Sequence, residues 1–254
     1  MQNQATSLLP SGAVLQSCSA MAASGAISGT LASIQVGVPK SYGYEDAADP
    51  HDLPWTTGFF KSSANGPVFV RFMNLEGDRQ ADLKHHGGVD KAVLAYSADH
   101  YPKWREELGM PEMPHGAFGE NLTIGGLSEE SVCIGDHYRI GDATFEVSQP
   151  RQPCWKLARR WRMHNLTGIV VANGRTGWYF RVLQEGLIEA GMSVSLIERP
   201  NPEWTAARAN QILHHRRTDL ALTLELAAVP RLSNAWVREL HERADLLRAT
   251  TLSA

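Results

Sequence analysis

A closed β-barrel with a few helices, followed by a small three-helix appendage, is the fold class this sequence predicts. Two observations predict it. From Leu31 to residue 199, short runs of β-branched and aromatic residues alternate with glycine-rich turns. After Pro200 the texture changes to apolar residues at helical spacing. The 254 residues are 43% hydrophobic and 20% charged, enough apolar content to bury a core.

Taken in order, residues 1–30 are rich in Ser, Ala and Gly and contain no Lys or Arg. They lack the positive start and strong apolar run of a secretory signal and read as a flexible leader, with Met21 a possible natural start. Leu31–Val38 and Val68–Leu75 read as strands; in the second, Val68, Val70 and Phe72 alternate with Phe69, Arg71 and Met73, the pattern of a mostly buried strand. Asp99–Leu108 reads as a helix, with Pro102 in its first turn and Gly109 after its end. His137–Ile140 and Ala143–Val147 form a hairpin about Gly141-Asp142. A second helix is expected over Cys154–Met163. Trp178–Leu183 and Ser193–Glu198 are expected to pair with each other across Gly186–Gly191.

In the appendage, residues 200–248, Asn201-Pro202 reads as a helix start and Thr218-Asp219 opens a second helix that ends before Pro230. Ser233 caps a third, in which Trp236, Leu240, Ala244 and Leu247 recur at helical spacing. The domain boundary is expected near residue 200, between a barrel of residues 31–199 and the appendage. Trp204, Ile212, Leu222, Leu226, Trp236 and Leu240 are expected to pack the three helices.

Several function classes fall away. A net charge of −3 gives the whole chain no electrostatic reason to seek nucleic acid or an anionic membrane. No apolar run approaches the length that spans a bilayer. Cys18, Cys133 and Cys154 have no paired spacing, so free thiols in the reducing cytoplasm are expected, and no zinc or iron–sulfur site from this chain alone. No Ser-His-Asp order, GxSxG elbow or HExxH helix is present.

Four segments could carry chemistry. In Ser148–Leu157 a strand ends, Pro150 and Pro153 stiffen the turn, and Cys154 stands at a helix start beside Arg151, Lys156, Arg159 and Arg160. Unpaired N–H groups and nearby cations favour a thiolate there, either nucleophile or soft-metal ligand. Cys133 reads as an apolar strand residue, and Cys18 lies in the leader. In Lys84–Lys91, Gly87 and Gly88 could converge backbone N–H groups on an anion, with Lys84, His86 and Lys91 supplying charge and donors. A phosphate or diphosphate would suit it, and a plain hairpin turn would explain it equally well. Glu120 and Asn121 open a strand where a carboxylate and an amide could hold a heterocycle's polar edge, or serve as a turn and its cap. Arg175, between Gly174 and Gly177, could reach a phosphate or be an exposed loop arginine.

Together these segments resemble the YiiM-like branch of the MOSC family: KHHGGVDKAVLAY at 84–96, GENLTIGGL at 119–127, IGDHYRIGDATFEVSQPRQPCWKLARR at 134–160 and RTGWYFRVLQEG at 175–186. The tail from Asn201 resembles the three-helix extension of the same branch, and the leader departs from the pattern. The resemblance implies a β-barrel holding a molybdopterin-type molybdenum cofactor, with Cys154 as the ligand to molybdenum. It implies reduction of N-hydroxylated compounds, base analogues included, with electrons from a separate flavoprotein. It assigns Lys84, His86, Gly87, Gly88, Lys91 and Arg175 to the phosphate end and Glu120 and Asn121 to the pterin end.

A carrier that holds cofactor or a persulfide sulfur on Cys154 would use the same thiolate. A DNA-binding tail is the weaker alternative, because Arg238, Arg243 and Arg248 interleave with Glu239, Glu242 and Asp245. A structural role, or contact between two copies in a homodimer, is expected instead.

Overall fold

Buried β-branched and aromatic side chains line up on staves because successive strand residues face opposite sides of a sheet. The computed structural model describes residues 28–252. In chain order its elements are β1 (Ser28–Val36), β2 (Lys40–Tyr42), β3 (Trp55–Thr57), β4 (Ser62–Ser63), β5 (Val68–Arg71), β6 (Asn74–Leu75), α1 (Leu83–His86), β7 (Val93–Ser97) and α2 (Tyr101–Glu107). There follow β8 (Leu122–Gly125), β9 (His137–Ile140), β10 (Ala143–Pro150), α3 (Lys156–Trp161), α4 (Leu166–Asn173), β11 (Trp178–Gln184), β12 (Gly186–Ile188) and β13 (Ser193–Glu198). The tail holds α5 (Ala206–Asn210), a π-helical turn Gln211–His215, α6 (Leu220–Ala227) and α7 (Asn234–Leu252).

Seven strands run in the order β13-β9-β10-β11-β7-β8-β1, and β1 returns to β13 through Ser28↔Ser195, Gly29↔Val194 and Thr30↔Ser193. The barrel is therefore closed, and closure removes its sheet edges. β7 and β8 run parallel, while the other staves pair antiparallel. The hairpin about Gly141-Asp142 forms as expected, with Ala143 opposite Ile140.

Several expectations are corrected. Residues 28–30, placed in the leader, belong to β1; the rest of the leader, Cys18 and Met21 included, lies outside the described residues. The strand expected over Val68–Leu75 breaks into a hairpin, because Phe72 and Met73 stand 52% and 47% exposed at its turn while Val70 pairs with Leu75. Trp178–Gln184 and Ser193–Glu198 are both strands but do not pair: β11 lies between β10 and β7, and β13 between β9 and β1. Period-2 patterning reports a strand's faces and not its neighbours. The helix expected over Cys154–Met163 is shorter, since Arg162 adopts φ 53° and ends it, and α4 follows as an unexpected second helix closed by Gly174 at φ 73°.

In the tail, Thr205 caps the first helix by accepting from Arg208 N–H at 3.0 Å, where Asn201 had been expected. Asn201 Nδ2 instead donates to the carbonyls of Ile134 and Pro230, at 2.9 and 3.0 Å, and pins the tail to the barrel. Asp219 and Ser233 cap the next two helices, accepting from Leu222 N–H at 3.1 Å and Trp236 N–H at 3.2 Å. Ile212, Leu226, Trp236 and Leu240 are buried, and Trp204 and Leu222 pack against them. They join one continuous core with barrel residues such as Ile134, Tyr138, Phe145 and Val147. A second cluster (Tyr96, Tyr101, Trp104, Phe118, Leu157, Leu166, Val170) includes Leu157 of α3 and Leu166 and Val170 of α4. No helix among the described residues is long and apolar enough to cross a membrane.

Candidate active site

β10 ends at Pro150, and the Arg151–Trp155 loop delivers Cys154 half-buried to the edge of a cleft before α3 begins. Two bonds to its carbonyl hold the residue in place, from Leu157 N–H at 3.1 Å and Thr167 Oγ1 at 3.3 Å. The cleft encloses about 570 Å³, its open mouth included, within the range of small-ligand sites. Cys154, Arg151, Lys156, His86, Lys91 and Asn121 all line it.

Positive charge dominates one wall. Arg151 is 3% exposed; its backbone N–H donates to Gly177 O and its Nη2 to Phe118 O at 3.2 Å. Its Nη1 is buried with no partner. A buried guanidinium nitrogen without an acceptor costs folding energy, and here it belongs to a residue facing a cavity. Burial pushes His86 down to about 4, and the charges of Lys156, Arg151 and Lys91 push the same way against Asp82. His86 is therefore neutral at pH 7. Burial also lowers Lys91, whose Nζ donates to His85 O at 2.8 Å.

The rest of the lining comes from segments the sequence did not flag. Thr57–Phe59, Lys61 and Asp78–Asp82 line the cleft, and buried Lys61 is paired with buried Asp78. Nothing in the sequence marks that pair, because its partners are joined only by the folding of β4–β6. At the loop's outer side Trp155 is 55% exposed, its ring 5.4 Å from that of Trp55, with the Arg159 guanidinium 4.7 Å over Trp55.

Six of the residues singled out from sequence come together in the cleft: Cys154, Arg151, Lys156, His86, Lys91 and Asn121. The Asn121 amide is already used, Oδ1 accepting from Leu94 N–H and Nδ2 donating to Gln35 O, both at 3.2 Å, so it ties β7 to β1. Glu120 is corrected: it is fully buried beneath the cleft and accepts from Tyr101 Oη, Gly116 N–H, Phe118 N–H and Thr123 Oγ1. Those bonds shape the turn that brings Phe118 and Gly119 to the wall, and they leave no free edge for a heterocycle. Lys84, Gly87 and Gly88 do not line the cleft. Asp82 caps α1 there, and a Cβ on Gly87 would meet Leu83 O at 2.8 Å, so the two glycines steer the chain out of α1. Gly88 holds φ 96°, a conformation that favours glycine. Arg175 lines a different cleft, paired to Glu107 and stacked 3.8 Å over Trp104.

Cys133 is buried, and burial pushes its thiol up to about 11. It has neither the access nor the ionisation of a ligand or nucleophile. The tail touches two site segments: Gln152 Nε2 donates to Glu239 Oε2 at 2.9 Å, and Asp90 Oδ2 accepts from Asn234 N–H at 3.1 Å.

A closed barrel with a half-buried cysteine in a cleft that Arg151, Lys91 and Lys156 also line, and with three tail helices sharing its core, defines the class. The MOSC domain model matches residues 82–195, and the YiiM-like, 3-alpha helix domain model matches residues 204–244. The chain is 39% identical to the protein YflK of Bacillus subtilis over 218 residues, covering 86% of this chain and 96% of that one. It is 40% identical over 180 residues to a Gibberella moniliformis protein named a reductase, covering 69% of this chain and 32% of that longer protein. The crystal structure of YiiM from Geobacillus stearothermophilus superposes with a TM-score of 0.70 at 36% identity, over 85% of this chain and 99% of that one. The chain belongs to the YiiM-like branch of the MOSC family.

Proposed function

We propose that this chain holds a molybdopterin-type molybdenum cofactor through Cys154 and reduces N-hydroxylated compounds with electrons from a separate flavoprotein. The observation that carries the reading is that Cys154 shares one cleft with the cationic side chains of Arg151, Lys91 and Lys156. A thiolate is a soft ligand, and a guanidinium fork suits phosphate. Cys154 is the soft donor that the cleft offers to such a metal.

When bound, the group supplies the two-electron redox centre; R–NHOH, two electrons and two protons yield R–NH2 and water. The chain's own residues bind and orient. Arg151, Lys91 and Lys156 would meet the anionic end. Neutral His86 offers a ring nitrogen without adding charge. The name of the Gibberella protein supports a reductive activity. Free thiols at Cys133 and Cys154 support a reducing compartment, the cytoplasm in our reading.

The test is metal and pterin analysis of protein made in a host that synthesises molybdopterin, followed by dye-driven reduction of an N-hydroxylamine, for wild type and Cys154→Ser. Molybdenum and turnover in wild type, both lost in the variant, are expected. A persulfide on Cys154 without turnover would make the protein a sulfur or cofactor carrier instead.

A further inference from the structure

An aromatic ledge borders the Cys154 cleft. Trp155 stands between Cys154 and Lys156, both of which line the cleft, and it is 55% exposed. Every other tryptophan of the chain is buried or half-buried. The ring of Trp55 lies 5.4 Å from that of Trp155, tilted by 50°. Trp55 and Thr57 are two residues apart in β3 and so face the same side of the strand, and Thr57 lines the cleft. Two separate chain segments thus bring a tryptophan to the same rim.

The ledge is braced. The Arg159 guanidinium lies 4.7 Å over the Trp55 ring and 5.7 Å over that of Trp155. It is held there by the carbonyl of His51, which accepts from Nε at 2.9 Å, and by that of Leu53. Tyr42 and Phe60 back Trp55, with ring centres 6.2 and 5.8 Å from its own. Lys156 Nζ, whose side chain lines the cleft, is 6.0 Å from the centre of the Trp155 ring. An indole held in place but left open to water forgoes the burial that folding gives most tryptophans, so its open surface is the informative feature. A braced aromatic surface binds a planar ring with little loss of conformational freedom, and stacking accepts any ring with a π-face. The two cations beside it turn away a positively charged ring.

We propose that Trp155 selects the ring of the substrate: a neutral aromatic or heteroaromatic group lies on its open indole while the attached N-hydroxyl group enters the cleft beside Cys154. This role deepens the reductive reading of that cleft and rests on it. It makes aryl N-hydroxylated compounds better ligands than alkyl ones, a preference that the charges of Arg151, Lys91 and Lys156 alone do not create.

Benzhydroxamic acid and acetohydroxamic acid share the N-hydroxyamide group and differ in the ring, so the ratio of their affinities reads the ledge. Both are titrated by NMR into the full chain made in a host without molybdopterin, which keeps the outcome independent of whether a metal binds Cys154. Wild type should bind the aryl ligand about tenfold more tightly, a stacking contribution of ordinary size. Trp155→Ala should erase that ratio and leave the affinity for acetohydroxamic acid unchanged, and Trp155→Phe should restore part of it. More than half of the side chain is open to solvent, so the circular dichroism of both variants should match wild type. Equal affinity of wild type and Trp155→Ala for benzhydroxamic acid, as expected of a ledge kept for a partner protein, would overturn the proposal. So would an equal loss of both ligands. A ratio that depends on Trp155 in a chain that takes up no molybdenum would uphold the ledge and count only against the reductive reading.

Discussion

Replacing Arg151 with Met removes a buried charge that the folded chain leaves half-satisfied, so two effects should separate. In the free protein the variant gives up one bond, Nη2 to Phe118 O, worth about 0.5–1.5 kcal/mol. Against that, it no longer buries Nη1 without a partner, a cost of about 1–3 kcal/mol. The two roughly cancel, and the methionine stem refills most of the volume. Chemical denaturation of the free protein should therefore show a stability within about 1–2 kcal/mol of wild type, in either direction. Binding should behave differently. A charge-assisted bond to a phosphate oxygen contributes about 1.5–3 kcal/mol, so affinity for the cofactor's anionic end should fall about 10- to 150-fold. Pyrophosphate titration by calorimetry reads this without any turnover. A third consequence follows from charge alone: Arg151 is one of the cations holding His86 down, so its removal should raise the His86 pKa above about 4, visible in the ring-proton titration. A variant with full pyrophosphate affinity and an unmoved His86 would refute the placement of this guanidinium in the anion site.

Other expectations can be checked alongside. Cys154→Ser should abolish molybdenum-dependent turnover with the circular dichroism of the fold unchanged, whereas Cys133→Ser should leave turnover largely intact. Because His86 is held neutral in the folded chain, its contribution to stability is complete above about pH 6.5 and is lost as pH falls toward about 4, by at most about 3 kcal/mol. Urea unfolding at pH 7 and pH 4.5 should show that loss shrinking in His86→Gln. Trp236→Ala removes a fully buried side chain at the junction of tail and barrel, and should cost about 3–5 kcal/mol by denaturant unfolding. If that loss left the barrel's near-ultraviolet signal untouched while the tail melted alone, the shared core would be the wrong account.

Local chemistry was legible in the chain itself. The Gly141-Asp142 hairpin, the Asp219 and Ser233 caps, and a proline-flanked cysteine among cations are all short-range signals, set by residues within a few positions of one another. The barrel as a class was legible for the same reason, since strand runs and glycine turns follow from period and propensity. The long ordered motifs added the family and, with it, the expectation of a cofactor.

What lay beyond reach depended on contacts between residues far apart in sequence. Asn201 looks like a helix cap from its neighbours, yet Ile134 and Pro230 claim its amide, and Thr205 caps the helix instead. Glu120 looks free to hold a ligand until Tyr101, Gly116, Phe118 and Thr123 occupy it. Arg175 and Arg151 read alike as loop arginines near prolines or glycines; only the register of β10 on β11 sends one to the Cys154 cleft and the other to the seam with the tail. A sequence displays each side chain's donors, acceptors and charge, because these are covalent properties. Which of them remain unspent after folding is decided by desolvation and by partners that only the closed barrel and its docked tail bring together.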